Sequence, residues 1–419
     1  MENLIILSTI LTIIISSLFY NYSKASEING IKIISLIRLL NHLLMKNFDL
    51  IDFLKDYKEE KVVYIWLFGW KLLILDHKIF KEIFVTNRDN LDRGDFSFNK
   101  SCLAIKLIGE ENLAVAKRNS HKRSVKVIMP YLKSDLMKKN IDICVLENIN
   151  DWKGEVDVID KSNQVTFSAI CQTVLGYNGK DVYDEFNYVT KICLKWYNLI
   201  LPFHTKNDEE RVRILRNKLN NKEYSNFVID MIDGGFSEIE VSNNISGFLI
   251  AGLETTSYSL TRCIYYLGRD VSKQSELRSS PEMIKDFIKY ILLVYPPVNL
   301  TPAGNKTLVD INVQEIIIPK NTHCVGVIGI MNDESIDESF TTFSLGSRSC
   351  PGSLMTIYEL ESFIKSLLER YSWQIDYKVD ENSEYPFFRR MKNFKCNFVE
   401  LEENKEFNQF EIIKNKTYE

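Results

Sequence analysis

The fold of this chain is decided by the ten residues Phe343-Ser344-Leu345-Gly346-Ser347-Arg348-Ser349-Cys350-Pro351-Gly352. The run has the form Phe-x-x-Gly-x-Arg-x-Cys-x-Gly, so that one thiol lies between two glycines and two residues after an arginine. Apolar residues recur at helical spacing directly after it, and they predict a helix from about Gly352 to Arg370. The amides at the beginning of that helix would point towards the sulfur and stabilise an anion.

Each fixed position of the run suits a sulfur that binds the iron of a haem. The ligand is the thiolate, which needs neighbours that favour negative charge and exclude water. Gly346 and Gly352 allow a flat macrocycle to come close. Arg348 can bond a haem propionate, and Phe343 can cover the sulfur side of the haem. Cys350 is therefore predicted to be the axial ligand; an ordinary buried cysteine would leave the other positions unexplained.

Composition excludes several classes of protein. The chain has 419 residues, of which 45% are hydrophobic and 26% charged, so it can bury a large core. A net charge of -4 without a basic stripe argues against nucleic-acid binding. The eight cysteines form no Cys-x-x-Cys pair, and we interpret them as reduced thiols.

The amino terminus carries a charge-free apolar run from Leu4 to Tyr20. As a helix it would reach about 26 Å, near the lower limit for a membrane span. The alternative, a cleaved signal peptide, lacks a basic beginning and an Ala-x-Ala site. We therefore expect an uncleaved membrane anchor in residues 1–22, and Lys24 favours a cytosolic position for residues 23–419.

The remainder predicts a mainly α, multihelical protein with small β-sheets and no internal domain boundary. Residues 130–270 are mostly helical in pattern. Val62–Phe68 and Lys71–Asp76 predict two strands joined by a turn at Gly69-Trp70. A further hairpin is expected around the turn Pro319-Lys320-Asn321.

One long helix is predicted from Ser237 to Leu267, beginning with a capping box of Ser237 and Glu240. Its middle reads Ala251-Gly252-Leu253-Glu254-Thr255-Thr256. An acid and two threonines are costly in an otherwise apolar helix unless they have partners.

A threonine that bonds back to its own helix would leave a groove at Ala251 and Gly252, where dioxygen and water can lie. Glu254 and Thr255 could then supply the protons that oxygen cleavage requires. The alternative is that Thr255 and Thr256 belong to a solvated helix face.

Both elements in this order resemble the cytochrome P450 family of haem-thiolate monooxygenases, from about residue 60 to residue 400. Further matches are Tyr295-Pro296-Pro297 and Ile318-Pro319-Lys320. The resemblance implies the cytochrome P450 fold, haem b, O2, an apolar or aromatic small-molecule substrate and an electron donor of the NADPH-cytochrome reductase type. It also implies an endoplasmic reticulum membrane anchor with the main domain in the cytosol.

The resemblance also assigns roles to single residues. Cys350 ligates the iron, and Thr255 and Glu254 handle protons. Ala251 is placed against the haem, and Arg348 with His121 or Arg123 is expected to hold the propionates. Residues 242–270 and 341–376 look most like fungal members, among them the enzyme that forms dityrosine precursors for yeast spore walls.

The chain departs from the family pattern at several places. Tyr290-Ile291-Leu292-Leu293 stands where the family has Glu-x-x-Arg, and the stretches 272–284 and 331–343 are short. An aromatic residue expected at position 118 or 119 and an arginine expected after Pro302 are missing. Two interpretations follow: apolar packing replaces the ionic network, or the protein is an inactive relative that binds a ligand or a partner.

Overall fold

The computed structural model describes residues 27–35, 38–39, 42, 50–66, 70–93, 103–194, 204–220, 225–301, 305–333, 339–380 and 389–401. Within these ranges the α-helices are α1 (Leu50–Lys55), α2 (His77–Lys81), α3 (Leu103–Ile108), α4 (Arg118–Leu132), α5 (Asp135–Asn148), α6 (Val158–Leu175), α7 (Tyr183–Cys193), α8 (Lys206–Asn220), α9 (Asn226–Asp233), α10 (Glu238–Arg269), α11 (Val271–Ser279), α12 (Ile284–Val294), α13 (Ile328–Met331) and α14 (Ser353–Arg370).

The strands are short and lie mostly near the two ends of the described chain. They are β1 (Glu27–Ile28), β2 (Ile31–Lys32), β3 (Val62–Trp66), β4 (Trp70–Ile74), β5 (Leu91–Arg93), β6 (Gly154–Asp157), β7 (Asn305–Thr307), β8 (Ile311–Val313), β9 (Ile316–Ile318), β10 (His323–Gly326), β11 (Tyr371–Trp373) and β12 (Lys395–Glu400). The largest sheet has the order β3-β4-β10-β7-β5, in which β4 and β10 are parallel. The predicted fold class, mainly α with small sheets, is confirmed.

The largest hydrophobic core lies between α5, α6, α10, α12 and α14. Ile141, Val165, Leu260, Ile288 and Phe363 represent these five helices in it, and each is almost completely buried. Two smaller cores lie against the five-stranded sheet. The long helix α10 thus runs through the centre of the helical part, and its middle residues line the internal cavity.

Residues close in sequence set the boundaries of α10 and α14, the two helices next to the predicted motifs. Ser237 caps α10, and the side chain of Glu240 bonds the Ser237 N–H in return, so the predicted capping box is present. The helix after the cysteine run spans Ser353–Arg370, as expected.

Two details of the β-structure differ from expectation. Trp70 does not lie in a turn but begins β4, where it is the register partner of Trp66. The hairpin of β8 and β9 turns at Gln314, whose φ of 52° suits a tight turn, and not at Pro319. The turn at Pro319 leads instead into β10, which pairs with β4 and β7.

The predicted anchor at residues 1–22 lies outside the described residues, and so the division at residue 22 stays a prediction. Among the helices that are described, none combines the length and the apolar character needed to cross a bilayer.

Candidate active site

The loop before α14 holds Cys350 by its own backbone. The N–H of Cys350 donates to the carbonyl of Phe343 at 2.7 Å, and the N–H of Ser344 donates to the carbonyl of Thr341 at 2.7 Å. Gly346 has a φ of +75°, and a Cβ at this position would lie 2.1 Å from the carbonyl oxygen of Phe84. Only glycine therefore satisfies this position of the run.

Cys350 differs from the other cysteines of the described chain. It is exposed, whereas those at positions 144, 171, 193, 263, 324 and 396 are buried. Its exposed surface belongs to an internal cavity, and protein surrounds the sulfur elsewhere. This burial raises the pKa of the Cys350 thiol, and the N–H of Gly352 opposes the shift by bonding to the sulfur. A thiolate here therefore needs a positive partner such as a metal ion.

The cavity has a volume of about 620 Å³ and is lined by both sequence elements. The cysteine loop contributes Phe343, Arg348, Cys350 and Gly352. The middle of α10 contributes Ala251, Gly252, Thr255, Thr256 and Ser259. The structure thus brings together two motifs that lie about a hundred residues apart in the chain.

The middle of α10 has the predicted back-bonded threonine. Thr255 Oγ1 donates to the carbonyl of Ala251 at 2.8 Å, and both residues line the cavity. Gly252 is needed for packing, because a Cβ there would lie 2.9 Å from Cγ1 of Ile170 on α6.

Glu254 is placed differently from the sequence prediction. It is not among the cavity-lining residues, and its carboxylate pairs with the guanidinium of Arg390. Both side chains are largely buried, with exposed fractions of 7% for Glu254 and 15% for Arg390. The structure thus shows a buried ion pair that ties α10 to the segment before β12. The proton-handling role of Glu254 stays a prediction.

Two arginines and a histidine gather at one edge of the cavity. Arg348, Arg93 and His121 all line it, and the nearby acid is Asp92, which accepts from Arg348 at 3.4 Å. Burial lowers the pKa of Arg93 to about 9, and the charge of Arg348 adds to this effect. Burial likewise lowers the pKa of His121 to about 4, with further contributions from Arg348 and Arg93. An anionic ligand would relieve this repulsion.

Arg123 does not belong to this edge. Its guanidinium pairs with Glu240, donates to the carbonyl of Gly235 at 3.3 Å and stacks on the ring of Phe236. It does not line the cavity, and its expected role as a propionate partner stays a prediction. Arg93 lies at the cavity edge instead. Sequence reasoning missed it because β5 reaches the cavity only by pairing with β7, from more than two hundred residues away.

The position of the family's Glu-x-x-Arg is apolar in the structure as well as in the sequence. Ile291 and Leu292 of α12 are completely or almost completely buried. This agrees with the interpretation that packing replaces the ionic network.

The residues present fit a haem. An exposed sulfur lies in the wall of a largely apolar cavity, and cationic groups at one edge match the two propionates. Cys350 would hold the iron, and Arg93, Arg348 and His121 would hold the carboxylates.

Comparisons with known proteins agree with this geometry. The family description "Cytochrome P450" matches residues 330–398, which include the cysteine loop. Cytochrome P450 724B1 of Oryza sativa subsp. japonica is 22% identical over 339 residues, covering 64% of this chain and 70% of the relative. Cytochrome P450 85A1 of Solanum lycopersicum is 21% identical over 338 residues, covering 64% of this chain and 72% of the relative.

Two solved structures share the fold. The retinoic acid-bound cyanobacterial CYP120A1 has a TM-score of 0.70 and 16% identity, covering 87% of this chain and 96% of that one. CYP175A1 from Thermus thermophillus has a TM-score of 0.72 and 14% identity, covering 88% of this chain and 100% of that one. With the cysteine loop and the cavity beside it, these matches support a divergent member of the cytochrome P450 family.

Proposed function

We propose that the protein inserts one oxygen atom of O2 into an apolar or aromatic small molecule, with haem b as its cofactor. One observation carries the proposal: the exposed sulfur of Cys350 and the back-bonded Thr255 line the same cavity. A bound haem would supply the activation of O2.

The chain's own residues would bind the haem, orient it and shield it from water. Cys350 donates its sulfur, and the N–H of Gly352 stabilises negative charge on it. Arg93 and Arg348 attract carboxylates, and the low pKa of His121 leaves its imidazole neutral at pH 7, so that it acts by hydrogen bonding. The hydroxyl of Thr255 holds a proton at Oγ1 in a wall that is otherwise mainly apolar.

The cavity favours a large, mainly apolar substrate. Most of its wall is apolar. Aliphatic and aromatic side chains there include Ile105 of α3, Leu113, Leu132 of α4, Ile170 of α6 and Phe248 of α10. One relative, from Arabidopsis thaliana, is named 3beta,22alpha-dihydroxysteroid 3-dehydrogenase, and one solved structure is bound to retinoic acid. Both names indicate ligands of this class. Tyrosine-derived aromatics are the second class to test, on the fungal resemblance of residues 242–270 and 341–376.

The proposals on the partner and the location rest on the family resemblance and on the apolar run at the amino terminus. We expect a reductase of the NADPH-cytochrome type as electron donor. We also expect the apolar run at Leu4–Tyr20 to anchor the protein in the endoplasmic reticulum membrane, with the main domain in the cytosol.

The test is the difference spectrum of the reduced protein with and without carbon monoxide. The parent protein and a Cys193→Ala control, which changes another cysteine of the cavity wall, are expected to give the strongly red-shifted Soret band of a thiolate ligand. Cys350→Ala is expected to lose it.

Persistence of the band in Cys350→Ala would contradict the proposal. A parent protein that unfolds cooperatively but takes up no haem would favour the alternative, a protein that binds an apolar ligand or a partner without catalysis.

A further inference from the structure

The side chain of Asn332, directly after α13, uses all of its hydrogen-bonding capacity. Its Nδ2 donates to the carbonyl of Leu293 at 3.0 Å and to Oγ1 of Thr342 at 2.8 Å. Its Oδ1 accepts from the N–H of Thr341 at 2.8 Å and from the hydroxyl of the same residue at 2.8 Å. Two donors and two acceptors are the full complement of an amide.

This pattern fixes both the residue type and its orientation. If the amide were turned over, its NH2 group would meet the N–H of Thr341, and its oxygen would meet the carbonyl of Leu293. An aspartate has no donor for the Leu293 carbonyl, and a leucine has no polar atom for any of the four bonds. Among the common side chains of this size, only asparagine satisfies all four.

The bonds join the end of α12 to the beginning of the cysteine loop. Thr342 Oγ1, which accepts from Asn332, donates to the carbonyl of Leu292 at 2.7 Å. Two carbonyls of the last turn of α12, which have no partner within the helix, are thereby satisfied. The side chain of Thr341 is completely buried, so water cannot replace these bonds there without opening the structure.

Thr342 is directly followed by Phe343, whose carbonyl is hydrogen-bonded to Cys350. The next carbonyl along the chain, that of Phe343, accepts the N–H of Cys350 at 2.7 Å. The hydrogen bonds of Asn332 thus fix one side of the loop, and the Cys350–Phe343 bond transfers that restraint to the residue that carries the sulfur. No charged group takes part in these bonds.

We propose that Asn332 is a positioning residue, which holds Cys350 in the cavity wall through a neutral hydrogen-bond network with Thr341, Thr342 and the end of α12. The proposal rests on the proposed function, because the sulfur that Asn332 positions is the expected haem ligand. It does not depend on which substrate is oxidised.

The experiment compares five variants of the full chain. Asn332→Leu and Asn332→Asp remove the donors, Thr342→Val removes the hydroxyl, and Thr342→Ser restores it. Asn148→Leu is the control: among the described residues, the side chain of this buried asparagine bonds only within α5, to the carbonyl and the sulfur of Cys144. It therefore reports a general loss of stability.

Two quantities are measured on each protein. The first is hydrogen–deuterium exchange at the amides of Ser344 and Cys350, which have the shortest backbone hydrogen bonds within the loop, both 2.7 Å. The second is the fraction of bound haem whose reduced carbon monoxide complex shows the red-shifted thiolate band. In Asn332→Leu, Asn332→Asp and Thr342→Val we expect exchange at these two amides to rise about tenfold or more. The thiolate fraction is expected to fall in the same three variants, whereas Thr342→Ser and Asn148→Leu remain like the parent.

Unchanged loop exchange in the Asn332 and Thr342→Val variants would overturn the proposal, and so would an equal effect of Asn148→Leu. If Asn332→Leu does not fold, the pair Thr342→Val and Thr342→Ser decides. A parent protein without the thiolate band would refute the proposed function, and loop exchange would then decide separately whether Asn332 holds the loop.

Discussion

At the scale of single residues, two kinds of constraint act on the site. Gly346 is fixed by its left-handed backbone and by the nearby carbonyl of Phe84. Cys350 is fixed by its bond to Phe343. Neither constraint needs a long-range ion pair, which explains how the loop keeps its form without the family's Glu-x-x-Arg.

Gly346→Ala is expected to destabilise the protein by at least about 2 kcal/mol, because backbone strain and a clash add together. Gly235→Ala is the matched control, since Gly235 has a φ of +76° but no atom within 4 Å of its would-be Cβ. Urea unfolding measures both. Equal losses in the two variants would show that the Phe84 carbonyl moves away at no cost.

Glu359 of α14 gives a prediction on pH. It lines the cavity wall, is 2% exposed, and among the described residues its Oε1 has no hydrogen-bond partner. Burial raises the pKa of this carboxyl well above its ordinary value, so the folded protein keeps a proton that the unfolded chain releases above about pH 4.3. This group therefore opposes folding increasingly as pH rises.

Glu359→Gln removes that pH dependence. Its gain in unfolding free energy over the parent is expected to grow from about pH 5 towards pH 8, whereas an exposed control, Glu282→Gln, shows no such trend. Both are measured by denaturant unfolding in the same haem state. A gain that shrinks as pH rises would contradict the assignment.

At the scale of elements, α10 is the structure that positions the site, and its close approach to α6 depends on Gly252. Gly252→Ala is expected to cost about 1 to 3 kcal/mol, because the new methyl overlaps Ile170. The double variant Gly252→Ala with Ile170→Ala should cost less than the sum of the two single changes. Strict additivity in thermal or urea unfolding would mean that the two residues are not in contact.

Sequence reasoning worked best where a signal is local. The capping box of Ser237 and Glu240 and the helix after Gly352 depend on residues a few positions apart, and both appear as predicted. Arg93 and Asn332 could not be found in this way, since strand pairing and the end of α12 bring them to the site. The placement of Arg123 and Glu254 away from the cavity wall could not be predicted either, because partners distant in sequence, Glu240 and Arg390, hold them.

At the scale of the whole molecule, the Glu254–Arg390 pair joins the centre of α10 to the carboxyl-terminal part of the described chain. Arg390→Met leaves a buried carboxylate without this cation, and we expect a loss of about 3 to 5 kcal/mol in unfolding free energy. Adding Glu254→Leu should recover most of the loss, because a packed apolar pair can replace a buried ion pair. No recovery would mean that Arg390 stabilises mainly through other contacts.

Among the cysteines that the structure describes, one is exposed and six are buried, so that thiol labelling can report how many molecules carry haem. In a Cys102→Ser background, a maleimide dye should label unloaded molecules once, at Cys350, and leave molecules with iron on that sulfur unmarked. The number of dye molecules per protein molecule would then give the fraction of any preparation that lacks haem, without a haem spectrum. If the extent of labelling did not depend on haem content, the iron would be bound through an atom other than the sulfur of Cys350.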